Sequence, residues 1–428
     1  MNLFPIISEN SDIVSLCVFA FCIILFVWDK LPMATTAILG CVAMVLFGVC
    51  DFKTAFGQFA SSTVILTIGV MIIGAAISET GLAAAIGAWI VRVSRGSERK
   101  LIIGTYLVSA MMSAFLTNSA VLAIFIPIIM GLSNKDIKAK NLIMPIAYGC
   151  VIGGASTLVG STQQMTAQGL LEEAGLRTFK TFDFSLVGGI LVLLGLAYCL
   201  FIGYKRGQKI WGDREDEGAQ QTEQTGVKHS KAKMITVAVI FVATVVLYIT
   251  EWIPLAVTST TAALLCIITG CISQPKAISS VNWNIVGRLA GCLGIAKALE
   301  AAGGTKLISE GFQLLVGNGI SPFLLFCILV LMVQVTSQFI SNSTAILIVL
   351  PIVISIAPAL GLNAYAFALG ITLASGVALS CPLASSTLGM SMTVGYRFND
   401  YFKYSISFDI ISYLVIILTV PAIYGLTV

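Results

Sequence analysis

Apolar runs of about 20 residues recur along this chain, from near residue 12 to near residue 426. Each run is long enough for a helix to cross the hydrocarbon core of a bilayer. Only 10% of the 428 residues are charged, against roughly a quarter in a soluble protein. The net charge of +4 is spread over loops and forms no face for nucleic acid. The sequence therefore predicts an all-α polytopic membrane protein in a cell (inner or plasma) membrane.

The apolar runs form two series, separated by one polar segment. The first series covers about 12–30, 32–50, 62–93, 101–130, 141–172 and 184–204; the second covers about 234–250, 253–272, 283–301, 306–318 (weaker), 322–356, 364–394 and 405–426. The run 62–93 is expected to bend or divide near Glu79–Gly81. The start lacks a basic n-region, so the first apolar run is expected to stay as a helix. These patterns predict an N-terminal transmembrane helix (1–31), a first repeat (32–204), a linker (205–233) and a second repeat (234–428).

The two series are copies of each other. "TNSAVLAIFIPI" (117–128) and "SNSTAILIVLPI" (341–352) place Asn118 and Asn342 at the same point, 224 positions apart. Other pairs keep an offset of 224 or 222: Ser113 with Ser337, Pro127 with Pro351, Gly160 with Ala384, and Pro32 with Pro254. In membrane proteins an internal repeat of this kind most often indicates a secondary transporter.

Basic residues differ sharply between matched loops of the two copies. "RVSRGSERK" (92–100) has four basic residues, and its counterpart, 314–322, has none. "SNKDIKAKN" (133–141) has three lysines, and its counterpart, 357–365, again has none. Because Lys and Arg favour cytoplasmic loops, the copies are predicted to be inverted repeats. The N-terminus and the linker are then cytoplasmic, and the C-terminus lies outside.

Both motif segments are too short to cross the membrane twice. They are predicted to be re-entrant hairpins, with entry from the cytoplasm at about 101–130 and from outside at about 322–356. Two further polar patches, 160–164 and 384–388, interrupt other helices and face the hairpin tips. Non-helical backbone is tolerated at this depth where it lines a cavity or is buried in protein. Oxygen atoms at the broken helices suit Na⁺, and helix N-termini suit an anion.

Single residues have simpler interpretations that compete with a binding role. Asn or Ser at one helix start is usually a cap, but matched duplication favours a site. Lys297 and Glu300, three residues apart, are expected to pair with each other. Arg288, near the cytoplasmic start of its helix, is expected to snorkel to the interface. Glu79 has no assigned role, and no organic cofactor is expected.

The duplicated tips, each with Pro nine residues after the Asn, resemble the divalent anion:sodium symporter family of the ion transporter superfamily. "TGLAAAIGAWIV" (80–91), "FDFSLVG" (182–188) and "FNDYFKYS" (398–405) are also similar to that family. The resemblance implies a homodimer in which a scaffold domain stays still and an elevator transport domain moves. It also implies two sodium sites that flank a dicarboxylate, tricarboxylate or sulfate.

The resemblance also implies ligands. The first sodium site takes Ser113, Thr117, Asn118 and the carbonyl of Gly160, and the second takes Ser337, the carbonyl of Ile340, Asn342 and the carbonyl of Ala384. The anion contacts Thr117, Asn118, Ser119 and Ser161 of the first copy and Ser341, Asn342, Ser343 and Ser385 of the second. The family has a proline pair in each facing loop, where this chain has Thr162-Gln163 and Ser386-Thr387. The extra donors, including Thr162 and Ser386 in the substrate site, favour an anion rich in hydroxyl or oxo groups.

Three functions remain open. The first is sodium-coupled symport of a divalent or organic anion such as succinate, tartrate or citrate. The second is a carrier of the same fold with different coupling: a sodium/proton antiporter, or a proton-coupled or uncoupled oxyanion permease. Proton coupling usually uses a carboxylate within the membrane, and neither hairpin tip nor facing loop contains an Asp or Glu. The third, a membrane sensor or enzyme, lacks a large soluble domain or a catalytic constellation, so the chain is not expected to be an enzyme.

Overall fold

The computed structural model describes residues 10–28, 31–94, 97–132, 138–212, 230–308, 310, 320–383 and 385–427. Helices dominate these residues. Four continuous helical stretches are long and apolar enough to cross a membrane: Phe52–Glu79, Ser185–Trp211, Lys231–Thr250 and Phe398–Tyr424. The chain is a multi-pass, all-α membrane protein.

Eleven helices lie within the described residues of the first half. They are α1 (Ser11–Trp28), α2 (Met33–Leu46), α3 (Phe52–Phe56, followed by the 3-10 turn Gly57–Ala60), α4 (Ser62–Glu79), α5 (Leu82–Ser94), α6 (Glu98–Ser113), α7 (Asn118–Met130), α8 (Ala139–Gly154), α9 (Thr162–Glu173), α10 (Ser185–Tyr198) and α11 (Tyr204–Trp211). A π turn, Cys199–Gly203, joins α10 to α11. Gly81 has φ +77°, a left-handed conformation that favours glycine. The predicted division of the run 62–93 is thus confirmed.

The second half repeats this order. The helices of the second half that have both ends in the described residues are α12 (Lys231–Thr250), α13 (Leu255–Ile268), α14 (Gln274–Ser280), α15 (Trp283–Ala301), α16 (Pro322–Thr336), α17 (Asn342–Leu360), α18 (Ala364–Gly376), α19 (Ser386–Ser391, followed by the 3-10 turn Met392–Val394) and α20 (Phe398–Tyr424). Helices α6 and α16, α7 and α17, and α9 and α19 each begin 224 positions apart. Most of the predicted span 306–318 and most of the linker 205–233 lie outside the described residues.

The halves exchange contacts with each other. Helix α2 packs on α15, and its sequence counterpart α13 packs on α4. Helix α9 packs on α17, and α19 packs on α7. A two-fold relation between the halves produces this exchange, because each contact recurs with the halves swapped. The orientation of either half in a membrane stays a prediction.

Helices α8 and α18 lie at the centre of the molecule. Every residue of α8 is buried, and so is every residue of α18 except the first. A Cβ on Gly153 would lie 2.4 Å from the backbone of Ala110, so this glycine lets α6 and α8 pack closely. Each central helix ends in a loop, 155–161 or 377–385, of which residue 384 is not described; the predicted facing patches 160–164 and 384–388 begin at the end of these loops and continue into α9 and α19. The predicted helix interruptions are confirmed, and they lead directly to the site.

Candidate functional site

The first hairpin tip brings several oxygen atoms together. One end of the Asn118 side-chain amide lies 2.6 Å from Ser113 Oγ, and the other end lies 3.2 Å from Ser161 Oγ. The end near Ser113 is also 3.2 Å from the carbonyl oxygens of Cys150 and Gly160. With the NH₂ group there, hydrogen bonds satisfy both carbonyls. With the amide oxygen there, four oxygens face one another, an arrangement that fits a cation.

The second tip leaves buried oxygens without donors. Ser341 caps α17, and its Oγ accepts a hydrogen bond from the Thr344 N–H at 3.3 Å. Ser337 Oγ and Asn342 Oδ1 are buried and have no hydrogen-bond partner among the described residues. Such an atom costs about 1–3 kcal/mol, which a bound cation would offset. Ile340 lies in the same turn, whereas Ala384 lies outside the described residues.

The tips and facing loops surround one cavity of about 280 Å³. Its lining includes all ten residues predicted to contact the anion: Thr117, Asn118, Ser119, Ser161, Thr162, Ser341, Asn342, Ser343, Ser385 and Ser386. Gly160, Gln163 and Thr387 line it as well. The structure thus brings these side chains together, while their roles as ligands stay predictions.

Contacts across the cavity join the two halves. Thr162 Oγ1, at the start of α9, lies 3.0 Å from Ser343 Oγ at the start of α17. Ser385 Oγ accepts a hydrogen bond from the Thr387 N–H at 3.2 Å, which orders the second facing loop. Helices α7, α9 and α17 all begin at the cavity wall. The positive dipole ends of these helices favour an anion there.

The predicted interfacial position of Arg288 is wrong. Arg288 lines the cavity, and its Nη1 donates to Ser341 Oγ at 3.2 Å. Its Nη1 also lies 3.4 Å from Met33 Sδ, because α15 packs on α2 and directs this face toward the second tip. Ile285, about one turn earlier, and Asn282, which caps the start of α15, line the same cavity. No Asp or Glu is among the described lining residues, so the cavity carries positive charge.

The other ionisable residues of the predicted spans lie outside the cavity. The predicted pairing of Lys297 with Glu300 is confirmed, with Nζ and Oε2 3.1 Å apart. Lys297 Nζ also donates to the backbone carbonyl of Glu173 at 2.9 Å. Glu79 forms an ion pair with Lys276. Sequence reasoning missed the contribution of α15 to the cavity, above all Arg288, although an arginine within an apolar span is itself a functional signal.

A family model described as citrate transporter matches residues 23–372. An uncharacterized transporter of Haemophilus influenzae is 24% identical over 400 residues, 90% of this chain and 85% of the relative. A sodium-dependent dicarboxylate transporter of Staphylococcus aureus (strain NCTC 8325 / PS 47) is 22% identical over 375 residues, 79% of this chain and 71% of the relative. The uncharacterized transporter YfbS of Escherichia coli (strain K12) is 29% identical over 190 residues, 44% of this chain but only 31% of that relative.

Two solved transporters share the fold. The YdaH transporter of Alcanivorax borkumensis superposes with a TM-score of 0.62 at 13% identity, over 96% of this chain and 98% of that one. The efflux pump MtrF of Neisseria gonorrhoeae gives 0.59 at 11% identity, over 97% and 94%. At such low identity the likeness shows the fold alone, that of an all-α membrane transporter.

Proposed function

Because the chain belongs to the citrate transporter family, we propose that it is a secondary active transporter that carries a small organic anion together with Na⁺. The anion is a di- or tricarboxylate such as succinate, tartrate or citrate. The observation that carries this proposal is the polar cavity between the two hairpin tips, which combines hydroxyl groups, amides and one guanidinium. The chain is a transporter and not an enzyme.

The cavity suits an anion in charge and in size. A carboxylate about 4 Å from the Arg288 guanidinium gains about 4 kcal/mol at an effective dielectric near 20. Three helix N-termini add to this attraction. A volume of about 280 Å³ lies at the small end of ligand pockets. Hydroxyls at Thr162 and Ser386 give a substrate with hydroxyl or additional carboxylate groups more partners than succinate would use.

The tips supply oxygen ligands for two sodium ions. Asn118 with Ser113 and the Gly160 carbonyl forms the first set, and Asn342 with Ser337 forms the core of the second. Na⁺ prefers such hard oxygen donors. The sodium-dependent relative of S. aureus supports this coupling. Sodium bound on either side of the cavity would offset the charge of the anion. Binding of Na⁺ would therefore raise the affinity for the anion, and binding of the anion would raise the affinity for Na⁺.

The family resemblance implies a homodimer, and the packing within the chain divides the helices in a way that would suit an elevator. Helices α2 and α15, and α4 and α13, pack tightly in pairs and would form the scaffold. The hairpins, α8, α9, α18 and α19 would move with the cargo. The contact between Arg288 on α15 and Ser341 on the second tip then links scaffold and transport domain in one conformation. The N-terminus would lie in the cytoplasm and the C-terminus outside.

Uptake into proteoliposomes tests the proposal. Labelled succinate, citrate, tartrate and sulfate are offered with an inward gradient of Na⁺ or of choline. We expect sodium-dependent uptake of at least one carboxylate. Arg288→Gln should raise the KM for this carboxylate at least tenfold, because a loss of about 1.4 kcal/mol of binding free energy is enough for a tenfold change. The KM of Arg288→Lys should lie between those of the wild type and Arg288→Gln. Uptake driven by a proton gradient and indifferent to Na⁺ would contradict sodium coupling, and no uptake of any anion would contradict the proposal.

A further inference from the structure

A carboxylate lies buried inside α20, away from the cavity between the tips. Asp409 is 6% exposed within the membrane-spanning stretch Phe398–Tyr424. Its Oδ1 accepts from the Leu379 N–H at 3.1 Å, and its Oδ2 accepts from the Ser380 N–H at 3.1 Å. Oδ2 also accepts from Gln338 Nε2 at 2.7 Å. All three donors are neutral, so they stabilise the carboxylate without cancelling its charge.

No described cation forms an ion pair with Asp409. Helices α10, α16 and α18, which pack against α20, contain no Lys or Arg. Helix α11 also packs against α20 and contains Lys205, Arg206 and Lys209, but none of these three forms an ion pair with Asp409 within the described part of the chain. The ionisable side chains near Asp409 are Tyr148 of α8 and Tyr198 of α10, whose rings pack on Phe408, and Cys381 and Tyr413, which line the same cavity as Asp409. Arg206 of α11 donates instead to the Tyr198 hydroxyl at 3.1 Å. A carboxylate at this depth is costly unless something positive accompanies it.

Two glutamine oxygens beside Asp409 also have no partner. Gln334 and Gln338 lie one turn apart on the second hairpin, and Gln334 Nε2 donates to the backbone carbonyl of Asp409 at 2.8 Å. The Oε1 atoms of both glutamines are buried and have no hydrogen-bond partner among the described residues. Asp409, Gln334, Gln338 and Ser380 line a second cavity of about 440 Å³, and the rest of its lining is largely apolar. Unpartnered oxygens next to an unpaired carboxylate point to a cation.

The first half has no such group at the equivalent place. Ser185 stands 224 positions before Asp409. Its hydroxyl donates to the carbonyl of Ser156, the counterpart of Ser380, at 2.8 Å. The counterparts of Gln334 and Gln338 are alanines, Ala110 and Ala114. The same loop-to-helix connection is therefore neutral in one half and negatively charged in the other, so the duplicated fold itself does not require the carboxylate.

We propose that Asp409, Gln334 and Gln338 form a site for one monovalent cation, Na⁺ or a proton, in addition to the two sodium sites of the tips. Asp409 holds the backbone of the second facing loop, and Gln338 belongs to the turn of the second tip. A cation at this site therefore fixes the tip and the loop relative to each other. Rotation of the Gln338 amide presents Oε1 in place of Nε2. That oxygen then binds Na⁺ or accepts the proton of the neutral carboxyl group.

Cation binding to the purified full-length chain in lipid nanodiscs, with no anion present, tests this site. Two quantities are measured for the wild type and for Asp409→Asn: radioactive sodium bound per chain in a choline background, and protons taken up per chain after a jump from alkaline to mildly acidic pH. We expect the variant to lose one sodium or one proton, and the quantity that falls identifies the cation. The matched variant Ser185→Ala should bind as many of both as the wild type.

Equal counts of both cations in the wild type and in Asp409→Asn would overturn the site and leave Asp409 as a cap for the facing loop. If Asp409→Asn does not fold, the same binding measurements on Gln338→Met and Gln334→Met test the site, because both variants keep the carboxylate. We expect each to weaken the affinity for the same cation about tenfold, the equivalent of one charge-assisted contact. Unchanged affinity in both would overturn the proposal. Because no anion is used, failure of the proposed transport function would leave these counts unaffected.

Discussion

Asn118 and Asn342 begin equivalent helices, and each can serve a cation and an anion at once. The amide oxygen binds Na⁺, and the NH₂ group donates to a carboxylate. We expect Asn→Asp at either position to retain sodium binding but to lose anion binding, because two negative charges about 4 Å apart repel by about 4 kcal/mol at a dielectric near 20. Asn→Ala should lose both. Sodium binding and uptake, measured on the same purified variants, separate the two outcomes.

Asn363 provides the matched control for this prediction. It caps α18, where its Oδ1 accepts from the Ala366 N–H at 3.4 Å, and it does not line the cavity between the tips. Asn363→Ala should cost about 1 kcal/mol of stability and leave the sodium dependence of uptake unchanged. Normal sodium-driven uptake by Asn118→Ala or Asn342→Ala would mean that the asparagines of the tips are only helix caps.

Sequence reasoning located the residues of the cavity that the repeat duplicates. The resemblance to the symporter family implied the anion contacts, and the offset of 224 pairs tip with tip and loop with loop. Arg288 and Asp409 have no charged counterparts in the other half, and the repeat does not reveal them. The direction of Arg288 depends on how α15 packs against α2, which is far away in sequence. Periodicity and spacing carry no information on such a packing.

At the scale of helices and loops, the altered facing loop should control which anion is preferred. Helix α9 begins at Thr162, and its first positions tolerate proline because their N–H groups have no partner within the helix. Thr162→Pro with Gln163→Pro removes the contact with Ser343 but keeps the Gly160 carbonyl. We expect the relative uptake of tartrate, citrate and succinate to change several-fold, since one hydrogen bond contributes about 1 kcal/mol. The sodium concentration for half-maximal uptake should stay close to that of the wild type.

Ser386→Pro with Thr387→Pro is the equivalent change in the second half. It should also alter the anion ranking, because both residues line the same cavity. An unaltered ranking together with a shifted sodium dependence, in either double variant, would show that the facing loops serve the cation and not the anion.

Helix boundaries show what apolar runs can and cannot predict. The run 141–172 divides at 155–161 and the run 364–394 at 377–385, as their polar patches indicated. The division of the second hairpin into α16 and α17 follows from the four polar residues of "SNST". Which helices then touch is a different matter. Helix α2 contacts α15, and α13 contacts α4, because the two halves are related by a two-fold. A hydropathy pattern gives no information on that spatial relation.

For the whole molecule, the inverted-repeat model makes one prediction about sidedness. Ser97 and Ser321 precede α6 and α16 at matched positions. In a cysteine-free background, Ser97→Cys should react with a membrane-impermeant maleimide only from the cytoplasmic side, and Ser321→Cys only from outside. Loss of the Ser321 cap should lower the stability of the folded chain by about 1 kcal/mol. Labelling of both from one side would rule out the inverted topology and the opposed entry of the hairpins.

The packing of α2 on α15 joins segments that a ribosome makes at very different times. Cys41 Sγ donates to the carbonyl of Gly291, 250 residues further along the chain, at 3.1 Å. At roughly 5–20 residues per second, about 12–50 s of synthesis separate the two. Through that interval the face of α2 that later meets α15 has only lipid or earlier helices beside it. The first half therefore spends this interval in the membrane without α15 packed against α2.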